Sequence, residues 1–528
     1  MKPKSSHWAD QTATRLVAQL GDRDTYILAS GITPSGTVHI GNFREVVTVD
    51  LVARGLQSLG KKVRFVYSWD DFDTFRKVPV NLPNQELLKG QLRKPINRVP
   101  DPYEKEESYA RSNEVAFERE LTAVGIQPEF IYQAQMYEKG AYAEQMRLCL
   151  EKTKEIKALL EVHRTSPLAD DWLPTAIYCE QCERDELEYQ RYDGEWNYSY
   201  KCSSCNHEAT TDIRQTKNLK LNWRTDWPMR WAYEKVDFEP GGKDHSSQGG
   251  SYDTGKEIVK ALWDRDAPIY LQYDFVAIKG LSGKMSSSKG ILITLSEALQ
   301  VYSPQMIRWI FANQRANHDF SIAFDEDVIR TFDEFDRSEQ QAYSAPPAKP
   351  GKWQINRRIY ELSSVEACDD LSGTAPRRAP FRELGNRLQV CDGDIERCYD
   401  RFYSKDYSDQ EDKNAFFDRA KLAWNWLETH APEEFKYRLN TDAVAIETST
   451  EIINALSALK SLVLDTDLEK IDVKDLNQKI YDDVIRAKEV DAKDFFKAVY
   501  TKLINRDHGP RLPSFLKEVG SKRLGELL

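Results

Sequence analysis

Thr25-Tyr26-Ile27-Leu28-Ala29-Ser30-Gly31, followed by Ile32-Thr33-Pro34-Ser35-Gly36-Thr37-Val38-His39-Ile40-Gly41-Asn42, is the stretch that decides the fold. Its first seven residues read as a short buried strand, rich in β-branched and aromatic side chains and ended by glycine. The Ile32–Thr37 segment carries loop chemistry, with proline, serine and glycine in succession. From Ile40 to Leu59 the apolar residues Ile40, Phe43, Val47, Leu51 and Leu56 recur at helical spacing, and Gly60 supplies a C-terminal cap. Lys62-Val63-Arg64-Phe65-Val66-Tyr67-Ser68-Trp69 reads as a second strand. Strand, loop, helix and strand in this order make a βαβ unit, which implies a parallel sheet.

Further along the chain, residues 103–163 read mainly as helices, for example Tyr109 to Val124 and Ala141 to Leu160. An α/β pattern returns over roughly residues 225–300, with Ile269 to Ile278 as its clearest strand. The sheet is therefore expected to be split, with residues 96–225 inserted between a first half at 1–95 and a second half at 226–300. Beyond residue 300 the pattern is helical. Ser344-Ala345-Pro346-Pro347-Ala348-Lys349-Pro350-Gly351 is the strongest breaker cluster, separating a connecting region at 301–350 from a helical region at 351–528.

The 528 residues carry 74 Lys and Arg against 85 Asp and Glu, a formal charge of −11. With 40 % hydrophobic residues and no apolar run of membrane-span length, the composition is that of an ordinary soluble protein. The N-terminus has lysines but no apolar stretch behind them, so a cytoplasmic location is expected. An acidic total excludes an indiscriminate coater of nucleic acid, DNA included, since its field repels phosphate. Basic clusters exist locally: Arg357-Arg358, Arg377-Arg378 with Arg382 and Arg387, and Lys502 with Arg506, Arg511, Lys517, Lys522 and Arg523.

Two segments are suited to a nucleotide. The loop from Gly31 to Thr37, with Gly36 in it, empties into a helix whose N-terminus favours phosphate through its unpaired N–H groups and dipole. There Gly41 permits close approach, His39 offers a ring N–H, and Asn42 adds an amide donor. The second segment is Lys279-Gly280-Leu281-Ser282-Gly283-Lys284-Met285-Ser286-Ser287-Ser288-Lys289-Gly290. Its serine hydroxyls and the charges of Lys284 and Lys289 suit a leaving pyrophosphate.

Cys179-Glu180-Gln181-Cys182 and Cys202-Ser203-Ser204-Cys205 stand 19 residues apart, the spacing of a tetrahedral Cys₄ zinc ribbon. Between them, alternating aromatics flank Asp193-Gly194, a hairpin signal. Four thiolates leave no open coordination position, so such a zinc is structural.

Together, His39-Ile40-Gly41-Asn42 and Lys284-Met285-Ser286-Ser287-Ser288 resemble the HIGH and KMSKS signatures of class I aminoacyl-tRNA synthetases. Asn42 stands where the consensus has a second histidine, and Ser287 where it has lysine. The blocks Ser30 to Asn42, Val66 to Asp73 with Arg76-Lys77-Val78-Pro79, and Gly241 to His245 with Gly249-Gly250-Ser251 narrow the resemblance. Over essentially the whole length, the sequence resembles class I lysyl-tRNA synthetases of the archaeal type. That resemblance implies an α/β, Rossmann-like catalytic domain with an inserted zinc-ribbon-containing domain and an all-α anticodon-binding end. It implies ATP-dependent attachment of L-lysine to tRNA(Lys), with Mg²⁺ accompanying ATP. The catalytic and ATP-binding set would be His39, Asn42, Lys284, Ser286, Ser287 and Ser288, joined by Gly36, Gly41 and Lys289. Gly31, Thr33, Trp223, His245 and Tyr273 would line the lysine pocket. A lysine pocket must also hold an ammonium group, and Asp70 and Asp71, placed after the second strand, are the carboxylates proposed for it; otherwise they cap the next segment. The rival readings are a glutamyl-type synthetase, a synthetase-derived RNA-binding protein without charging activity, and a nucleotidyltransferase on the same sheet.

Overall fold

The structure, a computed structural model, describes residues 5–80, 82–279, 292–366, 371 and 373–528. The strands in chain order are β1 (Thr25–Ile32), β2 (Lys62–Trp69), β3 (Glu129–Tyr132), β4 (Thr175–Ile177), β5 (Leu187–Tyr192) and β6 (Asn197–Cys202). They continue with β7 (Glu208–Asp212), β8 (Leu219–Leu221), β9 (Phe238–Gly242), β10 (Ile269–Tyr273), β11 (Val276–Ile278) and β12 (Phe320–Ile322). Five of them form one sheet in the order β10-β9-β1-β2-β3. Every neighbouring pair in it is parallel.

The opening βαβ unit folds as its periodicity dictates. β1 and β2 pair from Thr25–Lys62 to Ile32–Trp69. Helix α1 (Trp8–Leu20) precedes them and helix α2 (Ile40–Ser58) connects them. Thirteen of the nineteen residues of α2 are buried, so the helix is covered nearly all round rather than amphipathic. β9, Phe238-Glu239-Pro240-Gly241-Gly242, is buried at every position despite its proline and glycines.

Three expectations are corrected. β3 lies inside the range 96–225 assigned to the insertion and is an edge strand of the main sheet. Ile269 to Ile278 is two strands rather than one. The break falls at Asp274-Phe275, whose amides donate to Ala316 O (3.0 Å) and Asp319 Oδ1 (2.9 Å), and β11 then pairs with β12 instead of β9. Ala141 to Leu160 is likewise two helices, Ala143–Glu151 and Thr153–Glu161.

Between β3 and β9 the chain builds antiparallel structure. β5, β6 and β7 form a three-stranded sheet, and β4 pairs with β8. Asp193 shapes the β5–β6 connection, its Oδ1 accepting from Glu195 N (2.8 Å) and Asn197 N (3.0 Å).

The chain divides into two compact units. One comprises residues 1–322 with 338–373 and contains all these strands; the other comprises 323–337 with 374–528 and is helical. The breaker cluster separates the helices Asp327–Tyr343 and Gly351–Ser363, while the exchange between units falls at 373/374. The helical unit has its own core, in which Leu459, Val463, Leu476, Val484, Phe495 and Val499 are buried together. Among the described residues no helix is long and apolar enough to cross a membrane.

Candidate active site

In the sheet order, β1, β2 and β3 step one way and β9 and β10 step the other. Parallel α/β sheets bind ligands beyond the carboxyl ends of the strands at such a reversal. A cavity of about 590 Å³ lies there, lined by Gly31 and Thr33 at the end of β1, Asp70 after β2, Gly242 at the end of β9 and Tyr273 at the end of β10. Gly36, His39, Gly41, Asn42, Trp223 and His245 line it as well. The structure thus brings together ten of the eleven site residues named from sequence in its described part, cysteines aside. Asp71 is the one left out. Lys284, Ser286, Ser287, Ser288 and Lys289 lie outside the described residues. The residues flanking that segment are held near the cavity: Lys279 N donates to Ile322 O (2.9 Å), and Ile293 O accepts from Ile40 N (2.8 Å) at the start of α2.

The α2 N-terminus is closed by its own side chains. His39 is the N-cap; its Nδ1 accepts from Gly41 N (3.1 Å), while Asn42 Oδ1 accepts from His39 N (3.1 Å). This reciprocal capping box corrects the expectation of unpaired first-turn amides facing a phosphate. Because Nδ1 is an acceptor, a neutral His39 carries its proton on Nε2. Asn42 fits where a second histidine is usual because its amide oxygen completes the box and its nitrogen remains a donor.

Gly31 has no room for a side chain, since a Cβ there would lie 2.6 Å from Ser68 O on the paired strand. Its N–H donates to Glu45 Oε1 (3.0 Å), and Tyr273 OH donates to Glu45 Oε2 (2.6 Å). Burial pushes the Glu45 carboxyl up to about 7, against the two hydrogen bonds that favour its charged form. Among the described residues both partners are neutral donors. Sequence reasoning passed over Glu45, a polar residue one helical turn beyond Gly41. Gly41 and Glu45 do stand four apart on α2, which puts both on one face, and that spacing was the available signal.

The two aspartates proposed for the ammonium are already engaged. Asp70 pairs with Arg230 (2.6 Å), whose guanidinium also pairs with Asp226 (3.2 Å), and all three side chains are buried. Asp71 turns away from the cavity, and its Oδ1 accepts from Ala134 N (2.8 Å). Thr33 donates to Asp73 Oδ2 (2.9 Å), and Asp73 is in turn paired with buried Lys220. Asp73, Lys220 and Arg230 were likewise missed, because each is defined by a partner far away in sequence.

An aromatic wall closes the cavity. Trp223 stacks on Trp227 with centroids 5.2 Å apart and planes 14° from parallel. Trp227 and Trp231 both donate to buried Glu239, at 3.0 and 2.6 Å. His245 lies 6.2 Å from Trp223 and 5.9 Å from Trp227, ring to ring. Such a wall suits an aliphatic chain with a cationic end.

Outside the cavity, Cys179, Cys182, Cys202 and Cys205 converge, with all four sulfurs within 4.8 Å of one another. Cys179 Sγ lies 3.6 Å from Cys205 Sγ, and Cys182 Sγ 3.6 Å from Cys202 Sγ. Zinc–sulfur bonds of about 2.3 Å in tetrahedral arrangement place sulfurs about 3.8 Å apart, whereas a disulfide needs about 2.05 Å. Gln181 N also donates to Cys179 Sγ (3.4 Å). The cluster fits a tetrahedral ion.

The profile of the family described as tRNA synthetases class I (K) matches residues 6–366. The Lysine--tRNA ligase of Treponema pallidum is 42 % identical over 532 residues, covering 99 % of this chain and 98 % of that protein. That of Borreliella burgdorferi is 43 % identical over 526 residues, covering 99 % of each. That of Thermococcus kodakarensis is 42 % identical over 519 residues, covering 97 % of each. Among solved structures, a glutamate tRNA ligase from Elizabethkingia meningosepticum aligns at 12 % identity with a TM-score of 0.41, covering 95 % of this chain and 97 % of that one. With the family profile matched across most of its length and relatives this similar from end to end, the chain belongs to the class I tRNA synthetases.

Proposed function

We propose that the chain attaches L-lysine to tRNA(Lys) through a lysyl-adenylate made from ATP. The observation that carries this reading is a half-buried carboxylate, Glu45, that lines the cavity and has only neutral donors as partners among the described residues. It stands ready for a substrate ammonium group, beside an aromatic wall for the aliphatic chain. The full-length relatives named Lysine--tRNA ligase support it.

The lysine carboxylate attacks the α-phosphate of ATP and pyrophosphate leaves; the lysyl group then passes to the 3′-terminal adenosine of tRNA. An anionic nucleophile needs no general base, so positioning and electrostatics carry the first step. In this reading His39 offers its Nε2–H and Asn42 its amide to the phosphates, while Gly36 and Gly41 let the nucleotide approach the backbone. Lys284, Ser286, Ser287, Ser288 and Lys289 meet the pyrophosphate end, and the anchored flanks Lys279 and Ile293 are consistent with that. Mg²⁺ would enter with ATP, held by its phosphates and water. Cys179, Cys182, Cys202 and Cys205 would hold a structural zinc in a ribbon with β5–β7. The helical unit would bind the anticodon arm.

A glutamyl-type activity is disfavoured by charge. Glu45 and Asp244 line the cavity beside Asp70 and Asp73, which are paired with Arg230 and Lys220; its other lining cation, Arg76, is exposed, so among the described residues the cavity offers no unpaired buried cation for a second substrate carboxylate. The test is ATP- and tRNA-dependent attachment of labelled lysine, with Lys284→Ala as control. Incorporation by the parent chain and its loss in the variant are expected; no incorporation by the parent chain contradicts the reading.

A further inference from the structure

The cysteine cluster and the cavity meet in one short segment. Tyr178, immediately after β4, lines the cavity, and the next residue is Cys179 of the cluster. The chain then closes on itself over residues 179–185: Glu183 N donates to Cys179 O and Cys179 N to Arg184 O, both at 2.9 Å. This first knuckle lies against the loop that follows β2. Thr74, also in the cavity wall, is gripped from both ends of the knuckle: its hydroxyl donates to Asp185 Oδ2 (2.9 Å) and lies 3.0 Å from the Tyr178 hydroxyl.

The knuckle also holds the segment that runs beside that loop. Phe75 N donates to Lys94 O (2.7 Å) and Arg93 N to Phe75 O (2.9 Å), which ties the two stretches together. Asp185 N donates to Arg93 O (3.0 Å), the Asp185 carboxylate pairs with the Arg93 guanidinium (2.7 Å), and Glu183 pairs with Lys94 (3.1 Å). One residue on each side of this contact, Arg93 (φ 74°) and Glu183 (φ 62°), has left-handed backbone. Residues with side chains keep that conformation only where their surroundings enforce it, and such residues cluster at functional sites. Beside Thr74, Asp73 accepts from Thr33 (2.9 Å) and pairs with Lys220, all in the cavity wall. A zinc that served only to fold its own ribbon would not require these contacts.

We propose that Asp185 is a positioning residue for lysine activation: through Thr74 it clamps the Asp73 loop to the first cysteine knuckle, so that zinc in the cluster and lysine in the cavity strengthen each other's binding. Coupling of this kind is reciprocal, each ligand raising the other's affinity by the same factor. The inference rests on the proposed lysine-charging function and structural zinc, and adds that the metal site acts on the cavity.

The test uses the full zinc-loaded chain and the variants Asp185→Ala and Asp185→Asn. Asp185→Ala is expected to raise the KM for lysine about 3- to 30-fold, with the KM for ATP within twofold of the parent. Asp185→Asn keeps an oxygen for the Thr74 hydroxyl and is expected to recover most of that loss. Zinc affinity, read by competition with a chromogenic chelator, is expected to rise about fivefold or more when saturating lysine is added to the parent chain, and to be independent of lysine in Asp185→Ala. A purely structural loss would lower the Tm and the active fraction and leave the lysine KM and the effect of lysine on zinc as they are in the parent. The proposal is overturned by an Asp185→Ala variant whose lysine KM lies within twofold of the parent or whose zinc affinity responds to lysine as the parent's does. It is equally overturned by an Asp185→Asn variant no better than Asp185→Ala, or by a parent chain whose zinc affinity ignores lysine. A parent chain that charges another amino acid overturns the lysine reading alone, and the same comparison made with that amino acid still decides the clamp.

Discussion

Glu45→Gln separates the charge of the candidate substrate carboxylate from its shape. The amide keeps the side-chain volume and can still accept from Gly31 N and exchange a hydrogen bond with Tyr273 OH. What it loses is the charge-assisted contact to an ammonium group, worth about 1.5–3 kcal/mol in a buried site. The KM for lysine is therefore expected to rise about 10- to 150-fold, with little change in the KM for ATP. The empty enzyme should not suffer. A carboxyl raised from 4.5 to about 7 binds its proton more tightly folded than unfolded, so its contribution falls as pH rises from 4.5 through about 7, by on the order of 3 kcal/mol. Above pH 7 the enclosed charge is a burden that the Glu45→Gln substitution removes, and the variant's Tm should equal or exceed that of the parent. Lysine binding has the opposite sign. It needs the ionised carboxylate, so affinity of the parent chain should weaken about tenfold from pH 8 to pH 6, while the lysine ε-ammonium stays protonated throughout. Isothermal titration of lysine across that range measures both. A variant whose lysine affinity lies within twofold of the parent, or one that retains the parent's pH slope, refutes the assignment.

Asp70→Asn should act on stability instead. It removes one of the two carboxylates paired with buried Arg230, a loss of about 1.5–3 kcal/mol, and thermal melting should fall while the KM for lysine moves less than in Glu45→Gln. His39→Asn keeps a good N-cap but loses the Nε2 donor, so kcat should drop at least about tenfold with an unchanged Tm; an equal loss of Tm would mean that His39 only caps. Metal analysis should find one zinc per chain, and Cys202→Ser should release it and lower the Tm, since binding free energy at such a site is folding free energy. Folded, freshly purified protein without zinc would remove that claim.

What the sequence revealed and what it hid follow from range. β1, α2 and β2 were legible because each is announced by local periodicity, and the Cys₄ cluster because its spacing is itself the geometry. β3 was hidden because Glu129-Phe130-Ile131-Tyr132 is four residues between helices, too short for an alternation to register. β9 was hidden because Pro240-Gly241-Gly242 reads as a loop, although burial and β10 hold it extended. The capping role of His39 and Asn42 was present in the N-cap-to-N3 spacing, but the same side chains also carry donors that suit phosphate, and spacing alone does not separate the two uses. Asp70 looked available because its partner Arg230 is 160 residues away. Glu45 went unnamed because the partner that marks it, Tyr273, is 228 residues away in sequence.

The central claim is the identity of the amino acid placed on the tRNA. The most direct measurement incubates the chain with ATP, Mg²⁺, a tRNA(Lys) transcript and an equimolar mixture of amino acids. Nuclease digestion and mass spectrometry of the 3′-terminal adenosine then identify the ester formed. Lysyl-adenosine as the dominant product is the expected result; glutamyl-adenosine, or an unmodified terminus, contradicts the account.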